Sequence, residues 1–302
     1  MVFSENVWLD EAFSASVIRC GFKEMASRTF ADTLPPFYNF SAWLFTRIFG
    51  YSTVSLKIFS VIPMLLLMLV SAFFLTKASS VRTSCIYMVL VTGMPHFLEH
   101  GVEIRMYSWA VFFASAAAVF ALCVTKRIRY AGFGLMACTV FGSYTHQYAL
   151  IAEAFIWLML LVIFCRTGEI RAWFRMAAVC VILYVPCAIL TLYQMKAATA
   201  YFSASPATLG SLMASIRYPY VTNVTVLSAL LMSAVLLLFL YACVRKEITA
   251  AYYMLVYVLA TGISFGIMWS TGSTFFTSRY LMPSIGVLWL GVSMVMDRVF
   301  TE

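Results

Sequence analysis

Charge is what this sequence is short of. Of its 302 residues only 11% are Asp, Glu, Lys or Arg, against about a quarter in a soluble domain. A chain this poor in charge cannot clothe a globular surface, so a soluble protein is excluded. Also lacking is any Gly/Ser/Pro-rich stretch or charge block long enough to mark a domain boundary. Residues 1–302 therefore read as a single membrane domain, with an outer segment 1–52 and a bundle 53–302. Cysteine is present but has no metal-binding spacing. Cys85, Cys123, Cys138, Cys165, Cys180, Cys187 and Cys243 lie in apolar runs and only Cys20 is in a polar stretch, the pattern of small packing residues rather than a disulfide framework. No cleavable signal peptide precedes the first polar segment.

What is there is apolar side chain, 63% of the residues, gathered in runs of about 17–25, the length that crosses a bilayer core. The expected spans are 53–76, 84–99, 106–125, 131–146, 148–165, 176–195, 221–244, 250–270 and 281–297. The 131–165 stretch is too long for one straight span and folds at Ser143-Tyr144-Thr145-His146-Gln147. Residues 35–50 open on two prolines and close on glycine, the signature of a short helix, here lying at the membrane surface. The fold class expected is all-α: a polytopic transmembrane helix bundle of about nine spans, with short juxtamembrane helices in its first outer loop.

The net charge is +8. Its distribution excludes nucleic acid as a partner, because the basic residues form short clusters between apolar runs. Alternate connections hold Lys77 and Arg82; Lys126, Arg127 and Arg129; Arg166, Arg171 and Arg175; Arg245 and Lys246; and Arg298. Positive loops stay inside, so this set is cytoplasmic. The other set comprises 1–52, the loop near 100–105, the turn 143–147, the segment 196–220 and the loop 271–280. It carries Glu5, Asp10, Glu11, Glu24, Asp32, Glu99 and Glu103. Carboxylates beside a membrane are expensive unless paired or functional, so the outer face is where chemistry is expected.

Five segments carry groups able to do it. Asp10-Glu11 is a carboxylate pair suited to general-base or metal-ligand work, or to the first turn of a helix. Asp32, before Pro35-Pro36, suits the N-cap of the short helix. His96, Glu99, His100 and Glu103 can bind a divalent metal such as zinc, or form an ordinary polar loop. In the same segment Arg105 suits a lipid phosphate gripped by two parallel hydrogen bonds, or an ion pair with Glu103, or snorkelling at the interface. Tyr144-Thr145-His146-Gln147 is a polar turn at the membrane edge, and Arg279 in Thr277-Ser278-Arg279-Tyr280 is a second outer cation. Two cations and several carboxylates on one face suit a reaction that expels a phosphate and deprotonates an acceptor. Glu153 lies within a span, and such carboxylates are functional candidates or partners of a neighbouring helix.

In order, these segments resemble the GT-C superfamily of membrane glycosyltransferases, nearest to the dolichyl-phosphate-mannose–protein mannosyltransferase-like group and its bacterial aminoarabinose-transferase relatives. The residues that carry the resemblance are Trp8-Leu9-Asp10-Glu11-Ala12-Phe13-Ser14, Asp32-Thr33-Leu34-Pro35-Pro36-Phe37-Tyr38, Phe49-Gly50-Tyr51-Ser52, Glu103-Ile104-Arg105-Met106-Tyr107-Ser108, Tyr144-Thr145-His146 and Arg279-Tyr280-Leu281. The match is dense over 7–150 and hydropathic only from 150 to 275. It implies a sugar donor on a polyprenyl phosphate, reached from the bilayer, and a glycan, lipid or protein acceptor entering from the periplasm or lumen. It implies Asp10 as catalytic base with Glu11 beside it, Arg105 on the donor phosphate assisted by Arg279, and Asp32, Glu103, Tyr107, His146 and Tyr280 in support. A divalent metal is the one cofactor it leaves open. Leu34 stands where many relatives have His, and the helix that usually precedes the acidic loop is not in the sequence, which leaves room for a partner subunit. The expected setting is a bacterial inner membrane, with the endoplasmic reticulum as the alternative, and the active face is periplasmic or lumenal.

Two other readings compete. Pro63, Pro95, Pro186 and Pro283 lie in or beside spans, and broken helices line transport sites, so a transporter or lipid flippase is one; no internal repeat supports it. A non-catalytic subunit of the same fold is the other.

Overall fold

The structure, a computed structural model, describes residues 7–93, 95–198, 208–271 and 277–302. Glu5, some of the segment 196–220 and some of the loop 271–280 lie outside the described residues.

Every described element is helical. The outer segment folds as α1 (Leu9–Arg19), α2 (Phe22–Ala31) and α3 (Phe37–Phe49). α3 is the short helix anticipated between the prolines and glycine, and it ends at Gly50, whose φ of 86° only glycine adopts freely. Then come α4 (Thr53–Ala78), α5 (Val81–Thr92), α6 (Pro95–His100), α7 (Tyr107–Thr125), α8 (Ala131–Ser143), α9 (Gln147–Thr167) and α10 (Ile170–Ala198). The chain closes with α11 (Leu209–Arg217), α12 (Thr225–Val244), α13 (Ile248–Thr271) and α14 (Met282–Val299).

Each expected span has its helix, and among the described residues seven helices are long and apolar enough to cross a membrane. Two differ from expectation. α5 has 12 residues and α8 has 13. At about 1.5 Å per residue they fall short of a hydrocarbon core of about 30 Å. The run 84–99 is divided: α5 ends at Thr92 with Gly93 as its C-cap, and Pro95 opens the next helix, a first-turn position where its missing N–H costs nothing. Residues 95–100 instead form a separate helix that carries His96, Glu99 and His100.

α7 is the hub. It packs against α4, α8, α9 and α14, and nearly all of it is buried. Its alanines at 110, 114, 116, 117, 118 and 121 are fully buried, and small side chains are what allow apolar helices to approach closely. α14 meets this face with Gly286, where a Cβ would strike Ser115 Oγ. By contrast α10 and α12 are mostly exposed along their length, as expected of helices that face lipid.

α7, α9 and α14 start at one end of the bundle, where the acidic and aromatic residues gather. The basic connections lie at their other ends. There Arg127 pairs with Glu169 at 2.7 Å and Arg298 with Glu247 at 3.1 Å. Asp297 accepts hydrogen bonds from Ser80 at 2.7 Å and Thr83 at 2.9 Å.

Candidate active site

The site is built on the first turn of α1. Consecutive helical residues point about 100° apart, so Asp10 and Glu11 face different surroundings. Glu11 turns inward and is 4% exposed. One of its oxygens accepts the Trp8 backbone N–H at 3.1 Å and the other accepts the Ile104 N–H at 2.9 Å. It thereby caps its own helix and fastens the 101–106 loop to it. Asp10 turns toward α14, stays 32% exposed, and accepts a hydrogen bond from the Arg279 guanidinium at 2.9 Å. The two acids are neighbours in sequence with different partners: Glu11 is consumed by backbone N–H groups, and Asp10 pairs with one cation.

Arg279 sits on the 3-10 turn Ser278–Leu281 that opens α14. Its guanidinium lies 4.9 Å over the Trp8 ring and 5.7 Å over the Tyr107 ring, so two aromatic faces and one carboxylate fix its position. Arg105 follows the residue that Glu11 fastens. It is 8% exposed and donates to Ser14 Oγ at 3.1 Å, while its buried Nε has no hydrogen-bond partner among the described residues. Ser14 in turn donates to the Asp10 carbonyl at 3.2 Å. Both arginines are thus tied to the Asp10 turn from opposite ends of the sequence. The ion pair of Arg105 with Glu103 that the sequence left open does not form; Glu103 faces His100, 2.9 Å from its Nδ1.

Asp32 differs from expectation. It ends α2 rather than capping α3, and its carboxylate accepts from the Thr33 N–H at 2.7 Å. The first N–H of α3 goes to the Tyr144 carbonyl at 3.0 Å, so a tertiary contact takes the place of the cap. Asp32 shares a small cavity with Arg105, Ser14 and Tyr38. Burial pushes its carboxyl above the ordinary range, against the lowering effect of the Thr33 N–H and of Arg105.

His146 caps α9, its Nδ1 accepting the Tyr148 N–H at 3.1 Å, so the ring proton is on Nε2. That buried atom has no hydrogen-bond partner among the described residues. Its ring lies 5.3 Å from Tyr280 and 6.0 Å from Tyr107, and Tyr107 lies 6.4 Å from Tyr280. Three elements far apart in sequence thus meet in one aromatic wall. Tyr148 joins it, 5.5 Å from Tyr280. Sequence reasoning assigned no role to Ser14, Tyr148 or Tyr218. Ser14 was within reach, one turn beyond Asp10. For Tyr218, stacked on His96 at 4.1 Å, no local signal exists.

Beside this cluster an apolar groove of about 890 Å³ runs between α2–α3, α8 and α10, lined among others by Phe30, Phe37, Phe141, Leu183, Leu190 and Tyr193. Pro36 and Phe37 line it, while the preceding Leu34 and Pro35 line the Arg105 cavity. One short segment therefore separates an apolar groove from a buried cation. Glu153 is buried against Gly142 of α8.

No protein-family model and no curated protein sequence matches the chain. Two solved structures share its fold. One is ArnT from Cupriavidus metallidurans bound to undecaprenyl phosphate, 14% identical, with a TM-score of 0.68 over 98% of this chain and 57% of that one. The other is the Archaeoglobus fulgidus oligosaccharyltransferase in complex with Zn and sulfate, 12% identical, with a TM-score of 0.52 over 89% of this chain and 41% of that one. The chain thus spans between two fifths and three fifths of the proteins it resembles. The likeness is one of fold: this is an all-helical, multi-pass membrane protein that shares the fold of these two structures.

Proposed function

We propose that this chain transfers a sugar from a polyprenyl-phosphate donor to a hydroxyl-bearing acceptor at the periplasmic face of a bacterial inner membrane, with inversion at the anomeric carbon. The observation that carries the reading is the Asp10–Arg279 pair, with Arg105 tied through Ser14 to the same turn. A carboxylate that will act as base is held by a cation that will bind an anion.

The donor phosphate enters between Arg105 and Arg279. Arg105 offers an unused N–H donor, and Arg279 exchanges its bond to Asp10 for bonds to phosphate. That exchange releases Asp10, which accepts the proton of the acceptor hydroxyl. The oxygen attacks the anomeric carbon from the side opposite the phosphate. The carbon–oxygen bond to phosphate breaks, its electron pair leaves with polyprenyl phosphate, and the two guanidinium groups stabilise that charge. Glu11 holds the 101–106 loop so that Arg105 is in register. The aromatic wall of Tyr107, His146 and Tyr280 excludes water from the reacting centre. The groove between α3, α8 and α10 supplies an apolar path for the polyprenyl chain. Undecaprenyl phosphate bound to ArnT supports a donor of this class.

The test is release of free polyprenyl phosphate from a panel of polyprenyl-phosphate sugars offered with a lipid extract. The wild type releases it with one sugar, and Asp10→Asn, which keeps the shape and loses the base, slows release by about 100- to 10,000-fold. Full activity in Asp10→Asn refutes the assignment.

A further inference from the structure

The geometry points to a zinc-class metal site on α6, with His96, Glu99 and His100 as ligands and Glu103 as the group that orients His100. His96 and His100 are one helical turn apart and project from one face; their rings lie 6.1 Å apart with planes 28° from parallel. One ligand atom from each of the three residues lies within 4.8 Å of the others, and His96 Nδ1 stands 3.6 Å from Glu99 Oε2. In a tetrahedral site with bonds of about 2.0–2.1 Å, ligand atoms stand about 3.3 Å apart. Binding requires these atoms to draw together and the two rings to turn their nitrogens toward a common point, and Glu99, whose side chain is 67% exposed, is free to swing inward.

Two features distinguish this cluster from a solvated polar loop. Glu103 lies 2.9 Å from His100 Nδ1, which commits that nitrogen and leaves Nε2 as the coordinating atom. A carboxylate behind a ligating imidazole is the usual way a metal ligand is oriented and made more basic. Tyr218 stacks on His96 at 4.1 Å with planes 3° apart, fixing the second ring. In addition His96 Nε2 is buried with no hydrogen-bond partner among the described residues.

Two imidazoles and one carboxylate suit zinc, cobalt or nickel and disfavour magnesium and calcium, which take oxygen ligands. Three protein ligands leave a fourth position open. The His100 ring lies 5.8 Å from the Tyr107 ring, and the Arg279 guanidinium lies 5.7 Å from that same tyrosine. A bound ion would therefore add positive charge on the His100 side of Tyr107.

Untagged full-length protein in detergent, stripped with a chelator, is titrated calorimetrically with Zn²⁺ and with Mg²⁺. One Zn²⁺ per chain is expected, with no Mg²⁺ binding, and Co²⁺ in its place gives the visible absorption of a four-coordinate nitrogen–oxygen site. His96→Ala and His100→Ala weaken zinc binding by about 100-fold or more, and Glu103→Gln by about 10- to 100-fold. If a histidine variant does not fold, Glu99→Gln decides, because its side chain is exposed; it too weakens zinc by about 10-fold or more. A folded wild type that takes up no stoichiometric zinc overturns the site, as does zinc affinity unchanged in His100→Ala and Glu99→Gln. The readout is binding, so it stands or fails independently of glycosyl transfer.

Discussion

Arg105 offers the sharpest separation between holding the fold and holding the donor. The residue is 8% exposed, yet among the described residues its guanidinium has one hydrogen bond, to Ser14 at 3.1 Å. A structural arginine at this depth is usually hydrogen-bonded on more than one side, because a buried charge with few hydrogen bonds is costly; here Asp32 shares the cavity and supplies opposite charge. Two opposite charges about 4 Å apart attract by about 4 kcal/mol at the effective dielectric of a partly buried site. Some of that offsets phosphate desolvation, so the net worth of the contact is about 2–4 kcal/mol, roughly 30- to 1,000-fold in affinity. Arg105→Ala is therefore expected to weaken binding of a polyprenyl-phosphate analogue by that factor while leaving the donor-free melting temperature within a few degrees of wild type. Arg105→Lys recovers a fraction of the affinity, since an ammonium supplies charge without the two-pronged geometry. Scintillation-proximity or calorimetric binding in detergent, paired with thermal unfolding, reads both quantities. Unchanged donor affinity in Arg105→Ala, or a large loss of stability without donor, refutes the role.

Three further outcomes follow from the packing. Glu11→Gln sets an amide NH₂ against one of the backbone N–H groups of Trp8 and Ile104. The loss of a charge-assisted bond costs about 1.5–3 kcal/mol, so melting temperature and donor affinity fall together, unlike Arg105→Ala; a fall in neither contradicts the fastening role. Gly286→Val pushes a side chain into Ser115 at the α7–α14 contact and costs about 1–3 kcal/mol, seen as a lower melting temperature in detergent. Glu153 is fully buried and its carboxylate oxygens have no hydrogen-bond partner among the described residues. Glu153→Met removes a buried polar group costing about 1–3 kcal/mol, so it raises the melting temperature and leaves transfer intact. Solute uptake by proteoliposomes that Glu153→Gln abolishes would instead favour transport. Against that alternative, Pro95 and Pro283 stand in the first turns of α6 and α14, where proline is at ease, and the helices run on through Pro63 and Pro186.

The sequence by itself determined the membrane class, the approximate place of the seven long apolar helices and the end of the bundle at which the acids gather. These follow from length, hydropathy and loop charge, which act locally and need no partner. It also singled out Asp10, Arg105 and Arg279 together, through motifs spread over about 270 residues of chain. Tertiary structure decided what those residues do to one another. Asp10 and Glu11 look equivalent in the sequence, and the phase of α1 against the 101–106 loop makes one a buried fastener and the other a partner for Arg279. Asp32 reads as a cap until the Tyr144 carbonyl takes the N–H it would have served. The stacking of Tyr218 on His96 joins elements more than a hundred residues apart. Hydropathy says how far a segment goes into the membrane; it does not say how the helix is turned about its axis. That turn is set by the ridges and small residues of α7 against its neighbours, and it selects which side chains meet.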